Sequence, residues 1–248
     1  MCSPVFIQSV TLGAMRVLPR PAAILFDLFH TLACVPTPAA VGETPISEIL
    51  GVPGREWNRL YYEEDILGRA LGHTQDDIGA IRTIARQLNP RVTEEQIRAA
   101  ATSRRRRFEL GLTRIEAAML DALDRLRSAG VRIALVSDAG SDDLFGWEVS
   151  PLRQRFETAL FSYQLGIRKP DPRIYQHALE AIGVSAGDAF FVGDGGSDEH
   201  RGARASGMQA VLVTRMLGAY YPERIPERRV HADWEFEDVP ALVDALGL

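Results

Sequence analysis

Residues 22–32 have the sequence AAILFDLFHTL, an apolar run that reaches a single acid, Asp27, and continues past it. A strand that is apolar on both faces is typical of a parallel sheet covered by helices on each side. Three further short apolar runs follow: RIALVS (132–137), AFFVG (189–193) and AVLVT (210–214). Together with AAILF (22–26), they predict a buried parallel β-sheet.

Helical patterns separate these runs. Residues 113–116 (TRIE) have the spacing of a capping box and predict the start of a helix. Asp171 followed by Pro172 predicts the start of another, as N-cap and first-turn proline. Further helices are expected over 198–206 and from about residue 240. Strands that alternate with helices predict a three-layer, Rossmann-like α/β core.

The interval between the first two strands breaks this alternation. It contains helical patterns and a second capping box, Thr93 to Gln96, but no convincing strand pattern. We therefore predict a helical cap domain over 36–110. It would be inserted into an α/β core formed by residues 21–35 and 111–248, with residues 1–20 as an N-terminal extension.

Bulk composition gives no reason to expect nucleic acid or a membrane as a partner. The 248 residues carry a net charge of −5, and no apolar run approaches the length of a membrane span. Cys2 and Cys34 do not make a disulfide framework. Residues 1–20 lack the features of a secretory leader, and Met15 is an alternative start. A cytoplasmic location is the expectation.

Polar side chains lie at or just beyond the ends of the predicted strands, where open α/β sheets bind ligands. They are Asp27, Ser137, Lys169, Asp194 and Asp198. A carboxylate can attack phosphorus to form an acyl-phosphate, which water then hydrolyses. Mg²⁺ held by two of the acids would screen the repulsion between carboxylate and phosphate, and the lysine would neutralise phosphate oxygens. Ser137, together with Thr31, would hydrogen-bond the transferring group.

Four motifs in this order resemble the haloacid dehalogenase-like hydrolase superfamily. They are FDLFHT (26–31), VSD (136–138), RKPDPRIY (168–175) and VGDGGSDEHRGARASGM (192–208). The resemblance implies that Asp27 is the nucleophile and that Ser137 and Lys169 hold the substrate's phosphate. It also implies that Asp194 and Asp198 complete a Mg²⁺ site, directly or through water. The backbone carbonyl of Phe29 would be the remaining protein ligand.

Phe29 departs from the pattern of most phosphatases of this superfamily, D-x-D-x-T. Their second aspartate protonates the leaving oxygen and then activates water, a function typically worth about a hundred- to ten-thousand-fold in rate. A phenylalanine cannot transfer a proton. His30, the next residue, is an accessory candidate because its ordinary pKa lies near neutrality.

Three functions are compatible with this departure. The first is a Mg²⁺-dependent phosphatase that acts on a small phosphorylated metabolite through an aspartyl-phosphate. The second is the 2-haloacid dehalogenase reaction, whose halide leaving group needs no proton, although those enzymes need no metal and lack the acid found here as Asp194. The third is a binding or regulatory protein with weakened catalysis. We favour the first because both Asp194 and Asp198 are present; substrate identity and oligomeric state do not follow from the sequence.

The run SRRRRFELG (103–111) contains four successive arginines, Arg104 to Arg107. Successive helical residues point in different directions and do not form one face. We therefore expect a solvated cap helix, from which one arginine would be able to reach an anionic substrate.

Overall fold

The computed structural model describes residues 18–64, 66–73, 76 and 78–248. Most of the predicted N-terminal extension, including Cys2 and Met15, lies outside these residues. Within them, six parallel strands form one sheet in the order β3-β2-β1-β4-β5-β6. The strands are β1 (Ala23–Phe26), β2 (Arg132–Ser137), β3 (Thr158–Phe161), β4 (Ala189–Gly193), β5 (Gln209–Val213) and β6 (Trp234–Phe236). The predicted parallel α/β core is confirmed.

The central strand β1 is buried on both faces, as its sequence predicts. Phe26 belongs to an apolar cluster on one face that includes Leu123, whereas Leu25 belongs to a cluster on the other face that includes Tyr175. Successive side chains of a strand point to opposite faces, so both layers of helices pack against β1. This places Asp27 at the carboxyl end of the most enclosed part of the sheet.

Helices cover the sheet and fill the interval between β1 and β2. They are α1 (Ile46–Leu50), α2 (Gly54–Asn58), α3 (Ile66–Ala70), α4 (Gly79–Leu88), α5 (Glu94–Thr113), α6 (Ala117–Ser128), α7 (Ser162–Leu165), α8 (Pro172–Ile182), α9 (Glu199–Ala205), α10 (Arg215–Tyr220), α11 (Ile225–Arg229) and α12 (Val239–Ala245). None of the helices in the described part of the chain is long and apolar enough to cross a membrane.

Two predicted helix starts are confirmed. Thr93 and Gln96 form the reciprocal bonds of a capping box at the start of α5. The Asp171 carboxylate accepts the backbone N–H of Arg173 and caps α8, whose first residue is Pro172. In both cases the side-chain oxygen satisfies a backbone donor that has no partner inside the helix.

The capping box predicted at residues 113–116 is wrong. Thr113 is the last residue of α5, and its hydroxyl donates to the Glu109 carbonyl one turn earlier. Glu116 precedes α6 but makes no side-chain capping bond. Leu112, one residue before the end of α5, is fully buried.

The interval between β1 and β2 has an apolar cluster of its own. Ile46, Leu50, Trp57, Ile81 and Ile97 are among its buried members. The extent of the cap, residues 36–110, stays a prediction. Residue 110 lies inside α5.

The expectation of a solvated arginine run is wrong for two of its four members. Arg104 and Arg107 are 2% and 7% exposed. Asp142 and Asp143 follow β2, and the Arg104 guanidinium of α5 forms ion pairs with both. The sequence analysis missed this burial because the acids lie 38 and 39 residues away along the chain.

Candidate functional site

Asp27 lies at the carboxyl end of β1 and is 7% exposed. Its backbone N–H donates to the Val192 carbonyl of β4, which fixes it to the centre of the sheet. One carboxylate oxygen is 2.5 Å from the Lys169 ammonium nitrogen, and the other accepts a hydrogen bond of 3.2 Å from the Thr31 hydroxyl. The structure therefore brings together Asp27, Thr31 and Lys169, three of the residues selected from the sequence.

Three buried carboxylates surround this point. Oxygens of Asp27, Asp194 and Glu199 all lie within 4.8 Å of one another. Asp194 follows β4, and Glu199 is the first residue of α9. This cluster is compact enough for all three side chains to ligate one metal ion.

Glu199 is a residue that the sequence analysis missed. It is 1% exposed; one oxygen accepts the Gly195 N–H at 2.7 Å and the other lies 2.6 Å from the Lys169 ammonium. A Cβ atom at Gly193 would collide with the Glu199 carboxylate. Gly193 was the feature of the sequence that could have indicated a buried neighbour such as Glu199, because a glycine in a strand often marks the close approach of another group.

Asp198, the predicted partner of Asp194, lies outside this cluster. Its side chain is 56% exposed and pairs with Arg201 at 2.7 Å. Its backbone has φ of +54°, in the left-handed region, and the helix begins at the next residue. A role of Asp198 in holding metal stays a prediction.

Lys169 balances the charge of two of the three acids. Burial by itself would lower the pKa of its ammonium, but Asp27 and Glu199 together raise that pKa well above its usual range. Burial also raises the pKa of Glu199, to about 8, against the opposing effect of Lys169. The pKa of Asp27 is raised in the same way. Both raised pKa values show that burial disfavours the ionised forms of these acids, and a divalent cation at this point would favour them.

Ser137, the last residue of β2, is 1% exposed, and its hydroxyl has no hydrogen-bond partner among the described residues. Leaving a buried hydroxyl without a partner costs about 1–3 kcal/mol. A phosphate oxygen would provide the acceptor that this hydroxyl lacks.

Phe29 and His30 point their rings at other aromatic residues. The Phe29 ring meets Phe108 of α5 edge to face, with centroids 5.6 Å apart. The His30 ring lies against Tyr220 and Tyr221, at 5.4 and 5.7 Å. Within the described part of the chain, no hydrogen bond joins His30 to Asp27. An accessory role of His30 stays a prediction.

The donor set fits a magnesium ion. Every side-chain ligand is a carboxylate oxygen, which is the ligand type that Mg²⁺ prefers, and the set contains no cysteine or histidine that would favour zinc. By the family resemblance, the Phe29 carbonyl would be added to these ligands.

A family model for haloacid dehalogenase-like hydrolases matches residues 21–207, about three quarters of the chain. The chain belongs to the haloacid dehalogenase-like hydrolases. This match includes Asp27, Lys169, Asp194 and Glu199.

Curated relatives of this haloacid dehalogenase-like hydrolase include a phosphatase and a dehalogenase. A phosphoserine phosphatase from Thermus thermophilus is 39% identical over 112 residues, 44% of each chain. An (S)-2-haloacid dehalogenase 4A from Burkholderia cepacia is 34% identical over 97 residues, 38% of this chain and 41% of the relative. The matched segments thus span less than half the length of these relatives.

Solved structures show the same fold over nearly the whole chain. A HAD phosphatase from Thermococcus onnurineus has a TM-score of 0.56 at 22% identity, with 91% of this chain and 97% of that one covered. An L-2-haloacid dehalogenase from Xanthobacter autotrophicus, with chloropropionic acid covalently bound, has a TM-score of 0.58 at 17% identity, with 92% and 98% covered. At these identities the likeness concerns the fold alone.

Proposed function

We propose that this hydrolase is a Mg²⁺-dependent phosphatase of small phosphorylated metabolites, with Asp27 as the nucleophile. The observation that carries the proposal is the pair of buried carboxylates, Asp194 and Glu199, beside Asp27. Carboxylate oxygens this close together form a donor set of the kind that Mg²⁺ prefers, and a reaction at phosphorus gains from that cation. Bound Mg²⁺ would screen the charge of the phosphate.

The reaction begins with Asp27 attacking phosphorus. A new bond forms between the carboxylate oxygen and phosphorus, and the bond between phosphorus and the leaving oxygen breaks. Lys169 and Ser137 hold phosphate oxygens while this happens. Water then hydrolyses the aspartyl-phosphate, so that one ester and one water become one alcohol and one inorganic phosphate.

Phe29 determines which esters react fast. No acid at this position protonates the leaving oxygen, so that oxygen must leave as an anion or take its proton from water. Esters with acidic leaving groups, such as aryl phosphates, depend least on this proton. We therefore propose that turnover rises steeply as the leaving group becomes more acidic.

The test is phosphate release from a panel of alkyl and aryl phosphate esters, with Mg²⁺ and with EDTA. Asp27→Asn removes the nucleophile with little change in shape, and Asp194→Asn removes one metal ligand. Turnover that requires Mg²⁺ and Asp27 is the expected result. Full turnover by Asp27→Asn, or turnover that EDTA leaves unchanged, refutes the proposal.

The 2-haloacid dehalogenase reaction is the second candidate, because Phe29 removes a proton donor that a halide leaving group does not need. In that reaction Asp27 displaces halide from carbon, and water hydrolyses the resulting ester. Halide release from 2-haloacids, with no phosphate release from any ester, would favour this reaction. If neither phosphate nor halide is released, a binding or regulatory role remains.

A further inference from the structure

Arg228 reaches the candidate metal site from a part of the chain that no motif covers. It belongs to α11 (Ile225–Arg229), and its side chain is 11% exposed. One guanidinium nitrogen lies 2.6 Å from the Asp194 carboxylate oxygen Oδ2 and 3.0 Å from the Asp194 carbonyl oxygen. A single arginine thus binds both the side chain and the backbone of a proposed metal ligand.

The two glycines after Asp194 make room for this contact. Gly195 has φ of +84°, and a Cβ atom there would lie 2.9 Å from the Cβ of Arg228. The backbone N–H of Gly196 donates to the other Asp194 oxygen, Oδ1, at 2.9 Å. Both carboxylate oxygens are therefore held, one by a backbone amide and one by a positive charge.

The charges of the site then divide into two groups. Lys169 pairs with Asp27 and Glu199, whereas Arg228 pairs with Asp194. A divalent cation that uses Asp194 would lie close to the guanidinium, and two positive charges at short range repel each other.

We propose that Arg228, through its ion pair with Asp194, weakens the affinity of the site for divalent cations. The inference rests on the proposed function, because it takes Asp194 as a metal ligand. The consequence is a site whose cation exchanges with solvent more readily than it would without Arg228.

The test is direct Mn²⁺ binding to the full chain, followed by the electron paramagnetic resonance signal of free Mn²⁺. A positive charge a few ångströms from a divalent cation repels it by enough to weaken its binding about ten-fold or more. Arg228→Gln should therefore bind Mn²⁺ about ten-fold more tightly than the wild type.

Controls isolate the charge from the fold. Arg229 is the adjacent arginine; it pairs with Glu235 and is 56% exposed, so Arg229→Gln should bind like the wild type. Arg228→Lys keeps the charge and should stay within a few-fold of the wild type. If Arg228→Gln does not fold, Arg228→Met keeps the aliphatic stem against Gly195 and serves in its place.

In one outcome the wild type binds Mn²⁺, Asp194→Asn does not, and Arg228→Gln binds no more tightly than the wild type. That outcome overturns this inference and leaves the proposed function intact. No Mn²⁺ binding by the wild type overturns both.

Discussion

Arg104→Gln tests whether the helical interval is fixed to the α/β core by buried charge. Arg104 donates to the Asp142 carbonyl and to the Asp143 carboxylate. Asp142 Oδ2 lies 3.1 Å from a guanidinium nitrogen of Arg104 and 2.9 Å from one of Arg69. Tyr61 donates to the same oxygen at 3.1 Å. Arg104, Arg69 and Asp142 are all less than 5% exposed, so water cannot replace a lost partner.

Breaking a buried ion pair by removing one partner costs about 3–5 kcal/mol when the other charge stays buried without compensation. Arg69 and Tyr61 still contact Asp142 in Arg104→Gln, so we expect a loss at the lower end of this range, about 3 kcal/mol. Arg106 is the matched control, two residues along the same helix. Its side chain is 66% exposed and lies 3.3 Å from Glu43. The Glu43 side chain is only 13% exposed, but it keeps a hydrogen bond from the Ser103 hydroxyl, so we expect the loss of Arg106 to cost about 1 kcal/mol, the upper end for exposed pairs. We therefore expect Arg104→Gln to lower the free energy of unfolding by at least about 2 kcal/mol more than Arg106→Gln.

Urea unfolding followed by far-ultraviolet circular dichroism measures both variants. The midpoint should fall in Arg104→Gln with the slope of free energy against urea unchanged, because a changed slope would indicate a different unfolded or native state. Equal losses in the two variants, within about 0.5 kcal/mol, would contradict the reasoning from burial.

Two further predictions concern the site and its surroundings. Phe29→Asp restores a proton donor at the cost of the contact with Phe108. It should raise turnover of alkyl relative to aryl phosphates by about a hundred-fold or more, whereas Phe29→Asn should not; the same ratio in both would show that the proton is not delivered from this position. Burial lowers the pKa of His200 from 6.5 to about 4. At this residue the unfolded chain therefore takes up the proton first, and the contribution of His200 to stability is lost as pH falls from 6.5 to 4, by about 3 kcal/mol. Glu199 acts in the opposite sense, because its raised pKa favours the folded chain as pH falls. The difference in stability between the wild type and His200→Asn should therefore change by about 3 kcal/mol over this range, and a constant difference would contradict the assignment.

The strands that the sequence predicts are those whose burial is nearly complete. Every residue of β1 and β4 is buried, so an apolar run was sufficient to locate them. The strands β3 and β6 lie at the two edges of the sheet. Their residues are mostly half-exposed, and β6 is only three residues long. Partial burial and short length leave no periodic pattern that would distinguish them from loops.

The choice between Asp198 and Glu199 depends on backbone geometry that spacing does not encode. Two acids follow one another in the sequence, and the family resemblance was applied to the first. The structure places Asp198 in the left-handed region and starts α9 at Glu199, so that the glutamate points inward and the aspartate pairs with Arg201 at the surface. Of two adjacent acids, Glu199 is therefore a buried candidate ligand, whereas Asp198 is exposed.

Buried ion pairs between residues far apart in the chain are the features hardest to infer from local pattern. Lys169 and Asp27 are 142 residues apart, and they were selected together because both were expected at the ligand-binding edge of the sheet and each lies in a motif of the same family. The pair of Arg228 with Asp194 spans 34 residues, but Arg228 lies in no motif, so its sequence neighbourhood gave no reason to single it out. A buried charge nevertheless requires a partner. Once Asp194 is placed at the end of a buried strand, its counter-charge has to come from elsewhere in the fold, and Arg228 of α11 supplies it.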